Sequence, residues 1–284
     1  VLLFLVAMLS FATYHAQTES LWKTPDNSKL SKIKANKKTI VNPNLFKLDI
    51  EALKLILAKS PTKSSEKTKS TAVVSFPDSE GSMQNFSIFK TSNLSPELAA
   101  KHPEITSYYG ESIDGKASKI YFSLSPLGLY SIQLRLGKEA IFIESYDQDN
   151  TTYIAYKKTD KSIKSEGFKC DTKHYSSAVN GLTMARAYSA DDSLLRTYKL
   201  ALSCTGEYGQ YFGGTKALAL AAMNNTMTRV NAVFMNDFAI KMELIPEQDN
   251  IIFTSASTDP YSAASTGADG AWNTELMNVL HGTT

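Results

Sequence analysis

Residues 196–254 constrain the fold of this chain more than any other stretch. Apolar and polar residues alternate over 196–204, the period of two that is typical of a strand, and four glycines follow between 206 and 214. With Thr215 as N-cap, a run free of Gly and Pro from Lys216 to Asp237 predicts one helix. The apolar residues of this run recur at steps of three and four and share one face: Leu220, Met223, Met227, Val230 and Phe234.

Two more strands are predicted after this helix. Ile240, Met242 and Leu244 alternate with charged residues, and the apolar residues 251–253 offer a third strand. A strand, a crossover helix and a strand normally form a right-handed βαβ unit. Because a helix rises about 1.5 Å per residue, this one spans roughly 33 Å and can cross a whole sheet. We therefore predict an α/β unit with a mostly parallel sheet and a long crossover helix.

Residues 45–160 predict a different architecture, a single antiparallel β-rich domain. One helix is predicted at 46–58, and a second has Ser95 as N-cap, Pro96 in its first turn and His102 at its end. Turn signals separate six short strands, at 71–76, 85–90, 119–124, 129–136, 140–145 and 152–156. Polar residues 18–44 and 161–193 are predicted linkers, so the whole chain is predicted to be α+β.

Aromatic residues are numerous in the β-rich domain and admit two interpretations. They form either a stacking surface for a ligand or part of the core, and the absence of a basic stripe beside them favours the core. The net charge of the 284 residues is only +2, so we expect no nucleic acid partner. The residues in question are Tyr108, Tyr109, Tyr121, Phe122, Tyr130, Phe142, Tyr153 and Tyr156.

Both ends of the chain predict a longer protein. Residues 1–17 open with an apolar run and resemble a secretory signal peptide that lacks its charged start, with cleavage near Ala16 or Gln17. The alternative is a membrane anchor, but about 14 apolar-leaning residues are too few to span a bilayer. A helix is predicted at 271–281, and the strand that should follow it in an α/β sheet is missing. We expect an exported protein, with no membrane contact after signal cleavage.

The glycine-rich residues 206–216 (GEYGQYFGGTK) invite comparison with a phosphate-binding loop. That motif requires G-x-x-x-x-G-K-[ST], and here Thr215 precedes Lys216 in the reversed order. The reversal rotates each side chain by about 100° around the helix and takes the lysine away from a phosphate. A flexible turn that leads into a capped helix is the better interpretation, and no cofactor-binding residue is predicted.

No complete active site is visible in the sequence. None of the four histidines stands in an H-E-x-x-H pattern, and no G-x-S-x-G motif occurs. No catalytic or metal-binding residue is therefore predicted. Cys170 lies in the linker, where a thiolate could ligate a catalytic zinc and inhibit it. Cys170 could equally be unpaired or form a disulfide with Cys204, although the alternation around Cys204 favours a core position.

Three stretches together resemble one family. They are 196–211 (RTYKLALSCTGEYGQY), 215–238 and 240–246 (IKMELIP), and they look like the start of the catalytic domain of secreted bacterial reprolysin-like zinc metallopeptidases. These enzymes are metzincins, related to the ADAM and snake-venom proteases. The stretch 94–109 (LSPELAAKHPEITSYY) resembles the propeptide of the same proteins, so the resemblance covers about residues 45–284.

The resemblance implies an exported precursor of a zinc endopeptidase. Residues 45–160 would be a propeptide that packs on its own catalytic domain, 161–193 a processing region, and 194–284 the first part of the catalytic domain. In this family the zinc-binding helix lies further downstream, so the 284 residues alone are not expected to be active. In the complete enzyme a zinc-bound water, activated by a glutamate, would attack a peptide carbonyl of a peptide or protein substrate.

Two other functions remain open at this point. The first is a non-catalytic, exported binding or adhesion protein whose aromatic β-rich domain recognises a ligand. The second is a nucleotide-binding protein that uses the glycine-rich residues 206–216.

Overall fold

The computed structural model describes residues 21–25, 40, 43–63, 68–115, 117–160 and 194–281. We call the described residues up to 160 the N-terminal region and residues 194–281 the C-terminal region. The N-terminal region contains nine strands, β1 to β9, with these bounds: Trp22–Lys23, Asn44–Leu48, Val73–Pro77, Met83–Thr91, Thr106–Ser112, Ser118–Ser125, Gly128–Arg135, Lys138–Ser145 and Thr152–Lys157. Its two α-helices are α1 (Ile50–Leu57) and α2 (Pro96–Lys101).

All nine strands join one antiparallel sheet in the order β1-β2-β9-β8-β7-β6-β5-β4-β3. Sequential hairpins connect most neighbours, which explains why turn residues predicted this part of the fold well. Gly128, for example, has a φ of +85° at the tight turn between β6 and β7. The six predicted strands are confirmed with small shifts at their ends, and the helix from Pro96 to Lys101 is confirmed with Ser95 as its N-cap.

Three features of the N-terminal region differ from the sequence expectation. The helix predicted at 46–58 is confirmed over Ile50–Leu57 but begins later than predicted, because the residues before it pair as β2 with β9, and Asp49 is its N-cap. Strand β5 was not predicted, since its Tyr-Tyr-Gly centre lacks an alternating pattern. Trp22 lies within the predicted linker 18–44 but is buried in strand β1 and contacts Phe46, Phe76 and Tyr153.

The N-terminal region has its own apolar core on one face of the sheet. Helix α1 contributes Leu53 and Leu57, and the inward residues of the strands complete the cluster. Aromatic rings pack edge to face or tilted within it, with ring centroids 5.1 to 6.2 Å apart around Trp22 and Phe76. The prediction that the aromatic residues belong to the core is thereby confirmed for Tyr108, Phe122, Tyr153 and Tyr156, which are at most 8% exposed.

The C-terminal region is built on a parallel pair of strands. Strand β10 (Arg196–Leu200) pairs with β11 (Ile240–Leu244) in parallel register, and helix α4 (Lys216–Asp237) connects them. The predicted βαβ unit is confirmed, and Thr215 caps α4 through Leu218 N as expected. A last helix, α5, spans Trp272–His281, one residue shorter than predicted. Among the described residues no helix has the length and hydropathy needed to cross a membrane.

Two details of this unit differ from the sequence expectation. The predicted turn at 206–214 contains a short helix, α3 (Gly206–Tyr211), which Thr205 caps. A Cβ atom at Gly206 or Gly209 would overlap the backbone of residues 253–256, so these glycines permit close contact between two chain segments. The predicted third strand at 251–253 is reduced to one parallel bridge, between Cys204 and Ile252.

Helix α4 lies across the second face of the antiparallel sheet. On β6, Ile120 and Phe122 face the core beneath α1, whereas Tyr121 packs near Ala232 of α4. The central strands are therefore covered on both faces. This explains why nearly all residues of β6 are buried, where a strand with one exposed face would alternate between buried and exposed residues.

Candidate functional site

Residues of the N-terminal region cover one edge of the parallel sheet, that of β11. Leu94 forms a parallel bridge with Leu244 of β11. Leu244 N donates to Asn93 O at 2.8 Å, and Ser95 N donates to Leu244 O at 2.9 Å. The segment between β4 and α2 thus adds a short strand to the sheet of the C-terminal region, the mode of contact known as β-strand addition.

Asn93 inserts its side chain into a polar notch on helix α4. It is only 4% exposed, and its amide nitrogen donates to Thr228 Oγ1 at 2.9 Å and to Asn224 Oδ1 at 3.1 Å. Its Oδ1 atom accepts from Asn231 Nδ2 at 2.9 Å. The three partners stand at i, i+4 and i+7, so they share one face of the helix. We call this set of Asn224, Thr228 and Asn231 the α4 notch.

Asn231 also joins α4 to the strand that follows it. Its Nδ2 atom donates to Met242 O at 2.8 Å, and its Oδ1 atom accepts from Met242 N at 2.8 Å. This side chain therefore satisfies both backbone groups of one residue of β11 and still contacts Asn93. Buried amides of this kind are stable only while their partners remain in place, because an unpaired buried polar group costs about 1–3 kcal/mol.

An apolar cluster surrounds this polar contact and includes residues from both regions. Leu94, Leu98 and Ile105 of the N-terminal region are at most 5% exposed and pack with the inner side of α4 and of the parallel sheet. The residues of the C-terminal region in this cluster are Cys204, Ala219, Leu220, Ala221, Met223, Met227, Leu244 and Ile252. Leu220, Met223 and Met227 belong to the apolar face that the sequence predicted.

A charged pair joins the two regions further along α4. Glu144 of β8 is fully buried; its Oε2 atom accepts from Arg229 Nη2 at 3.0 Å and its Oε1 atom accepts from Tyr156 OH at 2.9 Å. The Arg229 guanidinium lies 5.1 Å from the ring centroid of Phe142 and 5.7 Å from that of Tyr130. The carboxylate thus has a cation and a hydroxyl as partners, which a buried charge requires.

His102 forms a second polar contact between the regions. Its Nε2 atom lies 3.0 Å from Asp249 Oδ1, and its Nδ1 atom lies 3.5 Å from Glu104 Oε1. Lys101 Nζ donates to Pro246 O at 3.3 Å beside it. This histidine is the C-cap of α2 and links that helix to the turn after β11.

Cys204 is a buried free thiol beside an apolar cavity of about 450 Å³. Burial raises the pKa of this thiol, and its Sγ atom donates to Phe253 O at 3.8 Å. Tyr208, Met223, Trp272 and Leu276 are among the residues that line the cavity. A thiol that stays protonated and enclosed is a poor nucleophile, so the structure confirms Cys204 as a core residue.

The remaining site predictions have mixed outcomes. Cys170 lies outside the described residues, so its role stays a prediction. Lys216 Nζ donates to Asp249 O at 2.6 Å, and Asp259 accepts from Gly206 N, so the predicted glycine turn is bound by its own chain. Among the residues that the structure describes, no three His, Cys, Asp or Glu side chains converge as a metal site. The described residues alone therefore do not fit a catalytic zinc.

Sequence reasoning missed the α4 notch and Asn93. The signal was present, because polar residues at 224, 228 and 231 recur with the helical period inside an apolar helix. The partner, Asn93, lies 131 residues before Asn224 in a short loop, and no local pattern connects the two.

One family model matches the C-terminal part of the chain. Residues 195–284 match the family model of the M12B metallopeptidases of reprolysin-like type. No curated protein and no solved structure matches the chain. The matched residues begin at β10 and include α4 and β11, the elements that carry the βαβ geometry described above. This part of the chain is thus similar to a reprolysin-like metallopeptidase.

Proposed function

We propose that the chain is the precursor of a secreted bacterial zinc endopeptidase, with residues 194–284 as the N-terminal part of its catalytic domain. The single observation that supports this is the family match over 195–284, which coincides with the parallel βαβ unit. Enzymes of this family are metallopeptidases, so the substrates would be peptides or proteins. The zinc ligands would be supplied by residues that follow Thr284, since none of the 284 residues forms an H-E-x-x-H motif.

In this proposal the N-terminal region is a pro-segment that packs on the catalytic domain. Its contacts with the C-terminal region support the idea, because Asn93, Leu94 and Leu98 are buried against α4 and β11. The signal peptide at 1–17, export and processing within 161–193 belong to the same proposal. The 284 residues alone would have no peptidase activity.

The alternative of an adhesion protein requires an aromatic recognition surface on the sheet. Most of the aromatic residues instead pack in the core or against α4, which disfavours this alternative, whereas Tyr130 is half-buried beside Arg229. The nucleotide-binding alternative is also disfavoured, since helix α3 occupies 206–211 and Lys216 Nζ donates to Asp249 O.

The test is to express the gene with its downstream sequence and to measure zinc content and cleavage of an unstructured protein substrate. We expect one zinc per chain, and we expect activity that a chelator removes and added zinc restores. The matched control replaces the glutamate of the downstream H-E-x-x-H motif by glutamine, which should abolish cleavage and leave zinc bound. A downstream frame that lacks this motif would refute the proposal.

A further inference from the structure

We propose that the edge of β11 and the α4 notch form a docking slot that selects an asparagine side chain, and that the segment Ser92–Leu98 is its built-in ligand. The proposal deepens the proposed function, because it names the contact by which the N-terminal region would be held on the catalytic domain. The contact itself can be measured without any peptidase activity.

The first argument is that the backbone and the side chain of Asn93 both bind to the C-terminal region. Asn93 O accepts from Leu244 N on the strand edge, while its side-chain amide enters the α4 notch. An amide both donates and accepts, and here it donates to Thr228 and accepts from Asn231. Aspartate could not donate and leucine could do neither, so the arrangement discriminates in favour of asparagine.

The second argument is that two of the three notch residues, Thr228 and Asn231, are held in one orientation by other contacts. Thr228 Oγ1 donates to Asn224 O at 2.9 Å, which leaves the oxygen free to accept from Asn93. Asn231 is fixed by its two hydrogen bonds to Met242. Preorganised polar partners bind with less loss of conformational freedom, which favours affinity and selectivity.

The third argument is that the flanking residues define the length of the ligand. Leu94 and Leu98 enter the shared apolar cluster, and Ser95 pairs with Leu244 while its hydroxyl caps α2 at Leu98 N. Before Asn93, Ser92 Oγ bonds both N and O of Leu94 and closes the turn. The ligand is therefore a short extended segment that turns into a helix within three residues.

The experiment uses the full chain with a recognition sequence for a specific protease inserted within residues 161–193. After cleavage, the tagged N-terminal fragment is immobilised and release of the C-terminal fragment is followed over time. We expect the two fragments to remain associated. Asn93→Ala and Asn93→Asp should each accelerate release by about 10- to 100-fold. Both variants lose the hydrogen bonds donated to Thr228 and Asn224, and Asn93→Ala also loses the one accepted from Asn231, so buried partners stay unpaired.

The matched control is Asn85→Ala, on an exposed position of β4 whose side chain bonds Ser75 within the N-terminal region. It should release the fragment at the unmodified rate. Thr228→Val, which keeps the shape of the side chain and removes its hydroxyl, should accelerate release about 5- to 10-fold. The double variant with Asn93→Ala should accelerate release by much less than the product of the two single accelerations, which indicates direct coupling between the two side chains.

Three outcomes would overturn the proposal. They are immediate separation of the fragments on cleavage, equal release rates for Asn93→Ala and Asn85→Ala, and independent effects of Asn93→Ala and Thr228→Val. A melting curve of each N-terminal fragment distinguishes lost recognition from lost folding. We expect it to change little, since Asn93 lies outside the apolar core of that region and its side-chain contact there is a 3.2 Å hydrogen bond to Ser107 Oγ. Loss of association would leave the metallopeptidase proposal standing, and absence of zinc would leave the docking slot standing.

Discussion

The two regions of this protein bury their apolar residues in different ways. The N-terminal region encloses a core between α1 and a nine-stranded sheet, entirely from its own residues. The C-terminal region has two paired strands, and its cluster takes Leu94, Leu98 and Ile105 from the other region. The difference indicates that the antiparallel region is a template on which the parallel unit is completed, as a two-stranded sheet is too small to be stable by itself.

The largest effect is expected when each region is expressed alone, which tests whether its core is complete. Residues 21–160 should unfold cooperatively in denaturant, because their core is complete. Residues 194–284 should show no cooperative transition, since an edge of β11 and the α4 notch would lose their partners. Circular dichroism and denaturant titration check both, and a cooperative transition of residues 194–284 would contradict the template interpretation.

A smaller effect is expected from a leucine that belongs to one region and packs in the other. Leu98→Ala should lower the free energy of unfolding of the full chain by about 3 kcal/mol, because the side chain is fully buried in the shared cluster. Leu55→Ala is the control, at a position of α1 that is 72% exposed, and it should change stability by less than about 0.5 kcal/mol. Equal effects in denaturant titrations would show that the shared cluster contributes little.

The smallest effect concerns the ionisation of single tyrosines. Burial raises the pKa of Tyr121 and of Tyr153 to about 12, but Tyr121 is covered by the C-terminal region and Tyr153 lies in the core of the N-terminal region. In residues 21–160 alone, the pKa of Tyr121 should therefore fall towards 10 while that of Tyr153 stays near 12. NMR titration of ring-labelled tyrosine measures both values, and a common shift would contradict the separate cores.

The same two tyrosines contribute to the dependence of stability on alkaline pH. The unfolded chain ionises a tyrosine at about pH 10, whereas folding raises the pKa of Tyr121 and Tyr153 to about 12. Their contribution is thus complete below pH 10 and is lost as the pH rises from 10 to 12. The loss is at most about 1.4 kcal/mol per pH unit for each group.

Local patterns predicted most of the fold and little of the site. The period of α4, the cap at Thr215 and the turn at Gly128 depend on neighbouring residues, and all three appear in the structure. Strand β5 was not predicted, because its Tyr-Tyr-Gly centre lacks the alternation of apolar and polar residues. The contact of Asn93 with α4 depends on how two distant segments meet, which a single sequence does not encode in any periodic form.

Helix α3 has a consequence for how this protein can vary. Its backbone touches residues 253–256 directly at Gly206 and Gly209, where even one methyl group would displace the opposing chain. The other four residues of Gly206–Tyr211 carry ordinary side chains and are free of this restriction. When related sequences are aligned, these two glycines should be the invariant positions of the helix, and an alanine at either should occur only with a compensating change in the 253–256 loop.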